Sequence, residues 1–142
     1  MTLAIRQAIF QRWNDSGLDA AIAPLFAGDR SAASASPTLP RAQYTLPAAS
    51  ERTRSRISRE LFQDLRFMIW GADDRAVQLF LDLAEGAFVN SESDESNPLA
   101  IPEEDGKILS VDFAGESVIQ ESTAIFQGIL QLRIQWCRPI EN

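Results

Sequence analysis

Two long alternating segments constrain this chain more than any other feature. In residues 57–70, Leu61, Leu65, Phe67 and Ile69 take alternate positions, interrupted only by Gln63, and Glu60, Phe62, Asp64, Arg66, Met68 and Trp70 take the others. In residues 124–137, Phe126, Leu130, Leu132, Ile134 and Trp136 alternate with Gln127, Gln131, Arg133 and Gln135, and Pro139 stops the ladder. A period of two sends successive side chains to opposite faces, so each segment predicts a strand with one apolar and one mixed face. At about 3.3 Å per residue the first would run about 46 Å. A compact domain of 142 residues has a radius of gyration of only about 14 to 15 Å. Part of that strand must therefore bend, curl or project, and a projecting hairpin exposes backbone edges that proteins cover, charge or use for association.

The other segments have different periods. Leu3, Ile5, Ala8, Ile9 and Trp13 predict a helix over residues 2–14, ended by Asp15-Ser16-Gly17. Residues 18–26 continue as a short apolar segment with another helical turn around Pro24, and 28–40 reads as a flexible small-residue loop. Ala42, Tyr44 and Leu46 alternate as a short strand that pairs with 57–70 in a hairpin, the polar tract 50–58 forming a wide tip. Asp73 caps a second helix whose stripe is Val77, Phe80, Leu81, Ala84 and Phe88. Residues 90–105 read as a flexible solvated loop. Residues 108–113 alternate as a strand, Gly115 marks a bulge, and the strand continues over 118–121 to a turn at Ser122-Thr123. The expected fold is α+β: one domain over 1–142, an antiparallel sheet of about four strands in the order α-β-β-α-β-β, with two helices packed on one face.

Composition narrows the function. There is no His, which removes the commonest metal ligand and general base, and the single Cys137 excludes an internal disulfide. A formal charge of −7 argues against general or sequence-specific nucleic-acid binding, which depends on clustered Lys and Arg. No apolar run has the length of a membrane span, and the first twelve residues read as an amphipathic helix rather than a secretory leader, so the expected setting is intracellular. No glycine elbow surrounds any serine, and the seven glycines never gather into a phosphate-cradling loop. No enzyme and no cofactor is expected. Glu103, Glu104 and Asp105, or Asp94 and Glu95, offer oxygen ligands without the spacing of a calcium loop, so no metal is expected either. Cys137 reads as a structural thiol, Asp73 and Asp74 as helix-start residues, and the three tryptophans as core or rim.

What remains is a separation of charge. Arg52, Arg54, Arg56 and Arg59 crowd the hairpin, while Glu92, Asp94, Glu95, Glu103, Glu104 and Asp105 crowd the loop after the second helix with no basic residue among them. Two solvated loops account for this equally well. The alternative is that the basic hairpin of one copy meets an acidic surface of the next, a heterologous contact that closes into a ring or extends as a filament. The four arginines are the candidate protein-interaction residues.

The order of segments resembles a known family. An Ile/Leu-striped opening helix (Leu3 to Trp13) precedes a strand Leu39-Pro40-Arg41-Ala42-Gln43-Tyr44-Thr45-Leu46-Pro47 and a strand end Phe67-Met68-Ile69-Trp70-Gly71. An acidic cap with an Ala- and Leu-rich helix (73–88) and a last strand with an aromatic end (124–136) follow. In this order they resemble the tail terminator, or tail completion, proteins of long-tailed phages, prophages and gene-transfer particles. The acidic, Ser-rich stretch 90–105 is longer than the family pattern.

The resemblance implies a noncatalytic virion protein, assembled in the cytoplasm. It implies a ring with itself, usually of six copies, on the tail tube protein, which stops tube growth and offers a face to the head-tail connector protein. The alternative of another class is a small acidic type III secretion-like chaperone, which would dimerise and bind an effector segment. A small hydrolase would need a deep pocket with convergent carboxylates.

Overall fold

A computed structural model describes residues 2–28, 38–47, 49–54, 58–89 and 99–139. Helix α1 (Thr2–Asp15) and a single-turn helix α2 (Leu18–Ala21) are followed by strands β1 (Leu25–Ala27), β2 (Arg41–Thr45), β3 (Ala49–Arg54) and β4 (Ser58–Gly71). Helix α3 (Asp74–Phe88), a 3-10 turn (Glu103–Asp105), β5 (Lys107–Ser122) and β6 (Ile125–Pro139) complete the chain. Gly17 joins α1 to α2 with φ of +79°, a left-handed conformation that favours glycine, at the predicted breaker. Asp73 caps α3, its carboxylate accepting from the Ala76 N–H at 2.9 Å.

The described strands form one sheet in the order β1-β2-β4-β6-β5, with β3 also on β4. The α+β class holds, but six strands replace the expected four, and the sheet is mixed because β1 pairs parallel to β2. The first part of the polar tract, through Arg54, belongs to strand β3, and residues 55–57, where the expected tip falls, lie outside the described residues. β2 pairs with the last part of β4, from Thr45↔Arg66 to Arg41↔Trp70, and β3 with the first part, from Ala49↔Gln63 to Arg54↔Arg59. Polar side chains suit β3 because it lies on an edge. Nor does the hairpin project alone. β4 pairs with β6 from Ser58↔Pro139 to Gly71↔Phe126, so the length that looked excessive for one strand is shared by β4, β6 and β5.

One face of this sheet holds the core. Leu61, Leu65, Phe67 and Ile69 of β4 and Leu130, Leu132, Ile134 and Trp136 of β6 are buried, as the alternation predicts. Gln63 is buried among them and donates to the Asp64 carbonyl at 3.0 Å. Both long helices meet on Phe67: Trp13 of α1 lies 5.5 Å and Phe88 of α3 4.8 Å from its ring centre. The Trp13 indole N–H donates to the Ala23 carbonyl at 2.9 Å, tying α1 to the segment that leads into β1. Phe126 is only partly buried, because it stands opposite Gly71 where β4 ends.

The α3 helix approaches the sheet over two glycines. A Cβ at Gly128 would lie 2.5 Å from Val77 Cγ1 and 3.0 Å from Leu81, and one at Gly71 would lie 2.8 Å from Val77 Cγ2. The end of the acidic loop is not fully solvated either. Leu99 is buried in the same core as Leu61, Ile108 and Trp136, so a hydrophobic anchor holds the segment leading to the 3-10 turn. Positions 29–37 and 90–98 of the two expected loops lie outside the described residues.

These contacts rank mutations. Leu132→Ala should cost about 2 to 5 kcal/mol, Phe126→Ala less, and Gln131→Ala almost nothing in denaturant unfolding. Gly128→Ala, although it adds only a methyl, should cost about 1 to 3 kcal/mol because Val77 and Leu81 must move. Equal losses at positions 131 and 132 would mean the face assignment is inverted.

Candidate interaction surface

The sequence points to four arginines, and the strand register shows where three of them stand. Arg52 and Arg54 lie on β3 and Arg59 on β4, while Arg56 lies outside the described residues. Arg54 pairs with Arg59, and Arg59 in turn with Arg138 of β6, so three arginines occupy one row of the ladder at one end of the sheet. The sequence analysis missed Arg138. Counting outward from the Leu61↔Trp136 pair would have found it, but only once the β4–β6 register was known.

The acidic residues of the 3-10 turn stand at the same end on the opposite edge. Thr53, Glu60, Cys137 and Lys107 form the row next to the arginines, which places the turn immediately before Lys107 level with Arg54. Glu103 and Glu104 are exposed and Asp105 is half-buried. Strands β4 and β6 separate β3 from β5. At about 4.8 Å per strand the two edges are about 14 Å apart, beyond the Debye length of about 8 Å in physiological salt. Base and acid are thus aligned at one level, on strands separated by β4 and β6. Glu92, Asp94 and Glu95 lie outside the described residues.

Between the edges, the face away from the helices is a network of polar and aromatic side chains. Arg133 contacts Asp64 at 3.2 Å and lies 5.4 Å over the Phe62 ring, and Gln135 bonds Glu60. Ser110 donates to Asp112 at 3.1 Å. Farther along, Arg41 lies 5.9 Å over Trp70, whose indole N–H donates to Glu121 at 3.1 Å, so this tryptophan is buried although it is on the mixed face. These are cross-strand contacts of modest strength.

Two open depressions accompany the sheet. One of about 440 Å³ is lined by Asp74, Arg75, Gln78, Val118, Gln120 and Phe126, and one of about 410 Å³ by Ala23, Pro24, Phe26, Thr38, Pro40 and Arg41. Carboxylate oxygens of Asp82, Glu85 and Glu116 come within 4.8 Å of one another, because the bulge between Phe113 and Gly115 turns Glu116 toward α3. Those three residues line neither depression, and Asp82 and Glu116 are exposed. Neither of these two depressions is lined by more than one carboxylate. No described helix is long and apolar enough to cross a membrane.

No protein-family model matches the sequence, and no curated protein matches it. The solved structures do contain a likeness. A chain from the virion of a native gene transfer agent particle matches with a TM-score of 0.68 and 13% identity, over 95% of this chain and 96% of that one. The two chains share a fold. The coverage spans both helices, the long strands and the edges described above, so the whole arrangement recurs rather than one motif.

The exposed pair on the mixed face can be measured directly. The Asp64 and Arg133 side chains are 40% and 52% exposed, so a double-mutant cycle should give a coupling of only about 0.2 to 1 kcal/mol. Arg133→Ala should cost slightly more than Asp64→Asn, because it also uncovers Phe62. A coupling several times larger would show that this face is desolvated in solution, as it would be beneath a bound neighbour.

Proposed function

We propose that this protein is a noncatalytic structural component of a phage-like particle that closes the end of the tail tube. In this reading, copies assemble as a ring, six being the number the sequence resemblance implies, on the tail tube protein. The exposed rim receives the head-tail connector protein. The observation that carries the reading is the whole-chain likeness to a gene transfer agent virion chain, which agrees with the order of sequence motifs. Long cross-paired strands and charges segregated to the edges supply complementary surface, which is what assembly requires. Arg52, Arg54, Arg56 and Arg59 are the proposed contact residues toward a neighbouring copy or the tube. Assembly would take place in the cytoplasm, and the mature protein would be part of the tail.

The test is assembly in the presence of tube protein. Adding this chain should stop tube elongation and leave tubes of defined length with density at one end in electron micrographs. Replacing Arg52, Arg54 and Arg56 together with Glu should leave the thermal midpoint nearly unchanged, since exposed charges contribute only about 0 to 1 kcal/mol each to folding. Capping should be lost, and wild-type capping should weaken as salt rises. Normal capping by the charge-reversed protein would sink the arginine assignment. Tubes that keep growing beside saturating wild type would sink the tail-end reading itself.

A further inference from the structure

We infer that copies of this chain stack, the outer surface of one copy's helix layer lying on the open face of the next copy's sheet. The inference rests on the ring reading and deepens it by naming the two surfaces that meet.

The open face changes character along its strands. The polar network occupies the rows of Glu60, Phe62 and Asp64 on β4. Toward the other end of β4 the row from β1 to β5 is Phe26, Gln43, Met68, Ile129 and Ser117, and beside it stands the row Arg41, Trp70, Gln127 and Ile119. Phe26 and Ile119 are 57% and 49% exposed, and Met68 and Ile129 are half-buried. A sheet with one solvated face normally keeps that face polar, so an apolar strip across five strands is a surface to be covered. On the other side of the Met68 row stands Arg66, whose Nε is buried and has no hydrogen-bond partner among the described residues. A buried donor of this kind calls for an acceptor from outside the chain.

The second surface lies on the far side of the helices. α1 and α3 are side by side, the Arg12 Nε donating to the Ala87 carbonyl at 2.8 Å. Leu79 and Leu83 of α3 are 56% and 40% exposed, and Leu3 and Phe10 of α1 are 66% and 49% exposed, all outside the core stripes of their helices. Gly86 is exposed half a turn round from Val77, and a Cβ there would meet nothing within 4 Å. Glycine weakens the last turn of α3 and fills no space within this copy, but it lets the α3 backbone approach a flat surface closely.

Size and charge both match. Two helices side by side are about 20 Å across. The strip, at four strand spacings from β1 to β5, is about 19 Å long. On the flank of α3, carboxylate oxygens of Asp82, Glu85 and Glu116 lie within 4.8 Å of one another, and no described cation pairs with them. The helix layer therefore lacks a cation where the sheet face has an arginine lacking an acceptor. Strip against strip would oppose Arg66 to its own kind, and helix layer against helix layer would oppose Asp82 to its own kind. Only the heterologous stack brings the signs together, and a heterologous contact repeats from copy to copy as a ring requires.

Variants of the two surfaces test the stack, with self-association followed by sedimentation up to millimolar concentration and folding by the thermal midpoint. Gly86→Trp projects into open space, so the midpoint should not fall, yet association should weaken about tenfold or more. Arg66→Glu and Asp82→Arg should each weaken association by a similar factor. Both changes in one chain should restore it, as should an equimolar mixture of the single variants, and restoration also shows that both fold. In a Cys137→Ser background, Leu83→Cys with Ile129→Cys should form disulfide-linked ladders, because the two positions lie on opposite sides of the sheet and cannot bridge within one copy. Either cysteine alone should form none.

Ladders from a single-cysteine variant, association indifferent to Gly86→Trp or to both charge changes, or a wild type that stays monomeric at millimolar concentration would overturn the stack. So would variants that self-associate normally but no longer bind tube protein, since the strip would then be the tube's surface. If the variants behave as expected but tubes are never capped, the stack stands and the tail-end reading fails. Normal capping by Gly86→Trp would sink the stack and leave the tail-end reading intact.

Discussion

The ladder between β4 and β6 is the constraint on which the rest of the structure depends. It runs from Ser58↔Pro139 to Gly71↔Phe126, and β2, β3 and β5 are each attached to one of its two members. β2 and β3 divide the free side of β4 between them, β1 extends β2, and β5 takes the free side of β6. Because the register is continuous, the apolar positions of both strands stay on one face over the whole length, and a slip of one residue would expose all of them. That single face gives α1 and α3 a common floor, with Phe67 between Trp13 and Phe88.

Covering one face and leaving the other open divides the protein's work. The helices exclude water from Leu65, Ile69, Leu132 and Ile134, and α3 sits close because Gly71 and Gly128 leave room for Val77. Among the described residues the opposite face carries no helix and is organised by pairs such as Asp64 with Arg133 and Glu60 with Gln135, each weak in water. Stability therefore comes from one side of the sheet, and the other side and its edges can vary without loss of the fold. A chain from a gene transfer agent virion shares the whole architecture at 13% identity, as expected if a packed face, rather than particular surface residues, maintains it.

Much of this was legible in the sequence because burial follows period. The faces of 61–69 and 130–136 could be read directly, Asp73 announced the start of α3, and Gly115 marked a bulge. What could not be read has a common physical cause. β1 is only three residues long, too short for a period, and its place beside β2 is set by packing rather than by its own composition. β3, Ala-Ser-Glu-Arg-Thr-Arg, has no apolar face because it is an edge strand, so it resembled a turn. Leu99 lay in an acidic stretch whose charge hid its burial. For the interaction surface, composition picked out Arg52, Arg54, Arg56 and Arg59, but Arg138 joins their row only through a long-range register that no local pattern encodes.

The position of the charges matters more than their number. A basic strand and an acidic turn stand at the same level on either side of β4 and β6. Had they been on adjacent strands they would have neutralised each other as cross-strand pairs and left neutral edges. Separated by β4 and β6, they leave a basic strand on one side of the sheet and an acidic turn on the other, an arrangement in which a heterologous contact, unlike a two-fold one, would bring the two signs together.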